Sequence, residues 1–305
     1  MLKELVDSTR AALDATPGVR RGAPALAAAW HEIDRTHVLY ETRRRTWQAM
    51  HGRRPRFALR AAFTPEAPRY FTGGYRLCVR LNIDVVAPAR ADVVLHWADV
   101  TIRDEPPPGL DPRTINLRVR DISKRHVNEV HRQVFGYGLD PEPGATEFVE
   151  KSDVNARHDG RVVVQPSGAP GTVIERLVDN RLDDHLVTDF RVAVMDGRII
   201  YTLLRYRPIS DRFQHRDTHM LALVVEPEAY FSPAEQATLV AMCQAMGADW
   251  ADLDVLRDRT SRRAYVVDVN PTPAAPSTGL AGVELAAYWR LQEQGFAALL
   301  RAHAR

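Results

Sequence analysis

The chain has 305 residues, a formal net charge of +2, and 45% hydrophobic against 26% charged residues, ordinary globular usage with length for one large domain or two to three small ones. No apolar run approaches the ~20 residues of a membrane span, and residues 1–20 carry charge throughout without a signal-peptide core, so a soluble cytoplasmic protein with no membrane partner is expected. Cys78 and Cys243, the two cysteines, sit in apolar settings that do not indicate a structural disulfide.

Residues 1–56 read as a helical extension: Ala25, Leu26, Ala29, Trp30, Ile33 and His37 step at helical spacing after the Thr-Pro-Gly turn at 16–18. Its basic runs, Arg43-Arg44-Arg45 and Arg53-Arg54, have no aromatic-interleaved companion motif, and 39 acids balance 41 cations. They read as a solvated face, with no nucleic-acid partner. Residues 57–109 form a small mixed α/β domain, with strands predicted at Leu77-Cys78-Val79, Ile83-Asp84-Val85-Val86 and Val93-Val94-Leu95-His96-Trp97. Glu105-Pro106-Pro107-Pro108-Gly109 is a stiff linker that closes it.

Three of the 41 basic residues are Lys and 38 are Arg. Lys is a compact ammonium that approaches a phosphate as a point charge, whereas Arg is a planar fork, so the bias singles out the interior Lys124 and Lys151. Lys124 follows Asp121-Ile122-Ser123 and opens a helix through Val127, Val130, Val134 and Phe135 that stops at Gly136. Phe148-Val149-Glu150-Lys151 is a strand ending in the second Lys, followed by a loop over 152–160 with one Gly. Residues 161–165 and 172–177 flank Pro-Ser-Gly-Ala-Pro-Gly as a predicted hairpin, and 189–194 and 199–201 flank Met-Asp-Gly-Arg as another. Arg191, Arg205, Arg207 and Arg212 lie on or after this second hairpin. His215 and His219 are four apart, but no Glu beside the first and no third ligand support a zinc site.

Ser232-Pro233-Ala234-Glu235 combines an N-cap, a Pro at the first helical position and a capping-box Glu, and predicts a helix with Leu239, Val240, Cys243 and Met246 on one stripe and Gly247 as its stop. Two strands follow. Period 2 puts Asp252 and Asp254 on one face of the first and Val266, Asp268 and Asn270 on one face of the second, with a hairpin loop at 257–263 between them. Paired with polar faces aligned, these carboxylates and the amide converge, and a hard divalent cation, Mg2+ or Mn2+, relieves their repulsion. Two amphipathic strands showing carboxylates to water give the same alternation, but a solvent face does not explain the ending Asp268-Val269-Asn270-Pro271-Thr272-Pro273.

Residues 247–256 and 264–271 resemble the metal-binding hairpin of the ATP-grasp superfamily, with Asp268 where that family usually has Glu. The order of Lys124, its helix, Gly136-x-Gly138-x-x-Pro141, Lys151 and the 173–178 segment is similar to the rest of an ATP-grasp core; the single-glycine loop after Lys151 departs from the family's glycine-rich flap. The resemblance implies an α+β fold of antiparallel sheets with flanking helices over residues 110–280, preceded by the small domain and the helical extension and followed by a C-terminal helix over 281–305. That helix carries Val283, Leu285, Tyr288, Trp289, Phe296 and Leu299 toward the core.

It further implies ATP and Mg2+ (or Mn2+) as cofactors. The metal is then held by Asp254, Asp268 and Asn270, the phosphates by Lys124 and Lys151, the adenine by Glu175 and the backbone of Arg176, Leu177 and Val178, and the ribose by Asp183. Arg191, with Arg207 or Arg212, faces the reacting oxygens. Residues 173–178 alone read equally as an alternating edge strand. The implied activity is an ATP-dependent ligase joining small-molecule carboxylate and nucleophile substrates, with a homodimer compatible. A small-molecule kinase on the same core and a non-catalytic Mg-ATP-binding protein are the alternatives.

Overall fold

The computed structural model describes residues 37–70, 72–106, 108–213, 221–274 and 279–305. The N-terminal helical pattern over 25–33 and the His215/His219 pair lie outside the described residues. Chain contacts divide the protein into two compact units, Met1–Arg54 and Pro55–Arg305. In the first, helix α1 (His37–His51) carries an ion pair between Glu41 and Arg44 at 2.6 Å and a stack of His51 on Trp47.

The second unit begins with strand β1 (Ala61–Pro65), helix α2 (Gly73–Arg80) and strand β2 (Val93–Trp97), the two strands parallel. Leu77, Cys78 and Val79, expected as a strand, are the buried face of α2. A three-residue apolar run carries no periodicity, so length and flanks decide, and here the flanks are two glycines that admit close packing. A Cβ on Gly74 would lie 3.0 Å from the Trp97 ring. Residues 83–86 form no strand beyond a single bridge from Val85 to Ala61. Bridges from Leu95 to Ile115 and from Ile102 to Asp121 join the segments before and after the Pro-rich stretch.

Helix α3 (Lys124–Phe135) starts as its sequence dictates, Ser123 Oγ accepting from His126 N, and ends at Gly136 with φ 77°. Three short strands follow, β3 (Phe148–Ser152), β4 (Arg161–Val163) and β5 (Thr172–Arg176). The expected β4–β5 hairpin does not form; β3 lies between them and pairs antiparallel with both.

The main sheet has the order β10-β9-β6-β7-β8, antiparallel throughout, from β6 (Leu186–Met195), β7 (Arg198–Pro208), β8 (Leu221–Val225), β9 (Trp250–Arg257) and β10 (Ala264–Asn270). Asp196 and Gly197, both at positive φ, make the β6–β7 turn. Helix α4 (Pro233–Ala245) forms the full capping box of Ser232 and Glu235. One face of the sheet, with Phe190, Val192, Leu204, Leu253, Val255 and Val269, packs on Val127 and Val130 of α3 and Leu239, Met242 and Cys243 of α4.

A β-bulge at Val267 re-phases β10: Val266 opposes Val255 and Asp268 opposes Asp254. Val266, expected beside Asp268 and Asn270, is therefore on the apolar face and fully buried. Helix α5 (Gly282–Ala302) buries Tyr288, Trp289, Phe296 and Leu299, but Val283 in its first turn is exposed. Among the described residues no helix is long and apolar enough to cross a membrane.

Candidate active site

The second face of the main sheet is polar because register and period agree across four strands. Arg191 opposes Asp254, Asp189 opposes Arg205, Asp254 opposes Asp268, and Asp252 opposes Asn270. Directly opposite residues point to one side. Arg191 grips Asp254 with two bonds, Nε to Oδ1 at 3.0 Å and Nη2 to Oδ2 at 3.1 Å, and Arg205 adds a third at 3.0 Å. Burial alone would raise the Asp254 carboxyl; the Arg191 and Arg205 guanidiniums outweigh it and hold the group well below the usual carboxylate range. Arg205 also bonds Asp189, which Arg207 reaches at 2.7 Å. Alternating charge thus runs across the sheet.

Asp252 has a different environment. Tyr201 donates to its carboxylate, and Gln292 of α5 donates to the hydroxyls of Tyr201 and Tyr288 at 3.1 and 3.0 Å. Burial pushes Asp252 up to about 6, against the nearby Arg191 charge and the Tyr201 bond.

Lys124, at the first turn of α3, extends its ammonium to Asp268 Oδ1 at 2.6 Å and to Asn155 Oδ1 at 3.1 Å. Lys151, on β3, pairs with Glu175 of β5 at 2.7 Å. Val149 is the register partner of Glu175, so the Lys151 and Glu175 side chains leave the small sheet on one face. Burial raises the Glu175 carboxyl, and the ammoniums of Lys151 and Lys124 pull it back; Asp268 acts on it too. The two lysines, Glu175 and Asp268 therefore form one electrostatic cluster drawn from four elements.

Arg176 N donates to Leu139 O at 2.7 Å, and its guanidinium pairs with Glu142 and lies over the Tyr265 ring. Leu177 is half-buried and Val178 buried. Val178 joins Leu139, Tyr265, Leu256 and Val267 in a small apolar wall beside the polar face. Arg212 bonds Val178 O and Asn180, at the end of the 173–178 segment and not at the carboxylates. Asp183 caps its own turn, accepting from the backbone N of His185 and Leu186 at 2.7 and 2.8 Å.

The donor set suits a hard cation of the Mg2+ kind, which takes one or two carboxylates together with phosphate oxygens. Asp254 and Asp268 are register partners, Asn270 shares their face, and no hydrogen bond among the described residues reaches Asp268 Oδ2. Among the described residues there is no cluster of three or more His, Cys, Asp or Glu able to hold a metal by themselves. The sequence suggested that a cation relieves the carboxylate repulsion; in the structure, Arg191, Arg205 and Lys124 already do so.

Sequence reasoning did not assign Arg205 to Asp254, Asn155 to Lys124, or the Tyr201–Gln292–Tyr288 network to Asp252. The Asp196-Gly197 turn, counted outward, gives the Asp189–Arg205 pairing once the irregularity at Ala193/Val194 is allowed for. The Lys124–Asn155 contact joins elements whose approach no local pattern encodes.

No protein-family model matches the chain, and no curated protein sequence matches it. Among solved structures, a D-alanine–D-alanine ligase from Bacillus anthracis superposes with a TM-score of 0.50 at 11% identity, over 81% of this chain and 100% of that one. The ATP-grasp ligase PsnB with its minimal precursor matches at TM-score 0.37 and 13% identity, over 57% of this chain and 60% of that one. The macrocyclase MdnC from Microcystis aeruginosa MRC matches at 0.38 and 14%, over 70% and 79%. The chain thus spans about 60% of the length of PsnB. With its antiparallel main sheet, its smaller three-stranded sheet and a correspondence over 81% of its length to a ligase of that architecture, the chain has the ATP-grasp fold.

Proposed function

We propose that the protein is an ATP-dependent ligase that phosphorylates a carboxylate and passes the acyl group to an amine or similar nucleophile, releasing ADP and phosphate. One observation carries this reading: Lys124, Asp268, Lys151 and Glu175 meet from four elements, beside Asp254. The fold shared with a D-alanine–D-alanine ligase supports it.

Phosphoryl transfer asks a protein mainly for positioning and charge neutralisation. Lys124 and Lys151, each now on a carboxylate, exchange that partner for phosphate oxygens. Glu175 and the backbone of residues 176–178 receive the adenine, with Leu139, Val178, Leu256 and Tyr265 as its apolar wall. Asp254, Asp268 and Asn270 would hold Mg2+, which when bound neutralises charge between the phosphates. Arg191 and Arg205 fix the Asp254 carboxylate, so its oxygens are oriented before any ligand arrives.

The test is ADP and phosphate release from Mg-ATP across a panel of carboxylic acids with amines. Asp268→Ala or Asn270→Ala abolishes Mg-dependent turnover while circular dichroism stays that of the parent. Undiminished turnover in either variant rejects the assignment, and a phosphorylated product without free phosphate makes the protein a kinase.

A further inference from the structure

Arg103 is a buried cation that the proposed chemistry leaves unused. It lies between β2 and α3 in the chain, where Arg103 N donates to Arg120 O at 2.7 Å and Ile102 bridges Asp121, so its backbone is fixed against the segment that leads into α3. The residue is 5% exposed, and its Nε and Nη2 are enclosed without an acceptor. Nη1 reaches His96 O at 3.5 Å, the outer limit of a hydrogen bond. The Nδ1 of buried His96 also lacks a partner. Asp99 and Glu66 are near enough to raise the guanidinium's proton affinity, yet neither forms an ion pair with it, and burial lowers it to about 10. Buried Arg205, by contrast, is paired with both Asp189 and Asp254.

A buried guanidinium with two empty donors is expensive, and such a group in a native fold calls for a missing partner. Nε and Nη2 form the side of the fork that takes a carboxylate through two parallel bonds. The segment that carries Arg103 is tied to the candidate site on both flanks. Asp99 Oδ1 accepts from Thr272 Oγ1 at 3.3 Å, and Thr272 N donates to Asn270 Oδ1 at 3.0 Å. On the other flank Thr101 Oγ1 accepts from Asn155 N at 2.9 Å, and Asn155 holds Lys124. Segment 99–103 is thus tied to both the Asn270 turn and the Lys124 contact.

We infer that Arg103 anchors an oxyanion subsite beside the Asn270 turn, and that its ligand is a carboxylate of the organic substrate. The naming of that ligand rests on the ligase reading; the subsite itself rests on the unpaired guanidinium.

The test follows the Arg103 Nε–Hε resonance in the full chain, identified by its loss in Arg103→Lys, during titration with acetate, inorganic phosphate and Mg-ATP. Acetate shifts the proton downfield and saturates, while phosphate and Mg-ATP at the same concentrations leave it in place. Glu66→Gln, which removes a competing carboxylate, lowers the half-saturating acetate concentration about two- to fivefold. Absence of an acetate shift, as when an enclosed water satisfies the guanidinium, overturns the proposal. So does a larger response to phosphate or Mg-ATP, which would make the nucleotide the source of the anion. If Arg103→Lys does not fold, acetate-dependent thermal stabilisation is compared between the parent and Glu66→Gln, and absent or equal stabilisation overturns the proposal. Calorimetry of Mg-ATP on the same sample separates the two readings: no nucleotide binding defeats the ligase assignment, while the acetate result still decides the subsite.

Discussion

Replacing Lys151 by Met leaves Glu175 without its ion-pair partner in a place where water cannot substitute. The two side chains are 15% and 5% exposed, and Lys151 Nζ is 2.7 Å from Glu175 Oε2. Removing one partner of a buried pair costs about 3–5 kcal/mol, because an uncompensated charge remains. The Lys124 charge also acts on Glu175, which places the expected loss near the lower end, about 3 kcal/mol at pH 8. Burial already raises the Glu175 carboxyl, and without Lys151 it rises further. The folded state then binds a proton more tightly than the unfolded chain, so the loss shrinks as pH falls through the raised pKa. Urea unfolding at pH 8 and pH 5 reads this as a midpoint change with the slope preserved. The double variant Lys151→Met/Glu175→Gln, which removes both charges, recovers most of the stability. A loss below about 1 kcal/mol in the single variant, or a double variant no more stable than the single, refutes the reasoning.

His131 is fully buried with neither ring nitrogen hydrogen-bonded, stacked on Phe135, and burial lowers it to about 4 from 6.5. The unfolded chain takes up this proton at a higher pH than the folded one does. Stability therefore falls by about 3 kcal/mol between pH 6.5 and 4 and levels off below, and His131→Leu removes that contribution from the stability–pH curve. Gly295 allows α5 to lie on β7: a Cβ there would be 2.7 Å from Ile200 Cγ2. Gly295→Ala should lower the melting temperature, with an overpacking cost of about 1–3 kcal/mol exceeding the gain of up to about 1 kcal/mol in helix propensity, and Ile200→Ala in the same chain should relieve the clash.

The elements most legible in the sequence were those whose instructions are local. Ser232 through Glu235 specifies the start of α4 within four residues, and Gly136 stops α3 through a backbone conformation that glycine adopts without strain. Asp196-Gly197 likewise fixes the β6–β7 hairpin. Choices that depend on tertiary partners were not legible. Leu77-Cys78-Val79 has the same composition as a strand, and it forms the buried face of a helix that packs against the distant α5. The β4–β3–β5 order brings β3 between two later strands, a pairing that no turn encodes. At the site, the residue types were readable from their spacing, while their mutual pairing was not. Arg191 and Lys124 stand 63 and 144 positions from the acids they hold.

The extra residue at position 267 makes the two halves of β10 obey opposite counting rules. Excising Val267 would leave both halves in their present register, Val266 against Val255 and Asp268 against Asp254, so the strand would straighten while the acid and amide at its end kept their side of the sheet. An alignment with an unbulged strand must therefore skip residue 267, or Asp268 falls on the side that Val266 occupies.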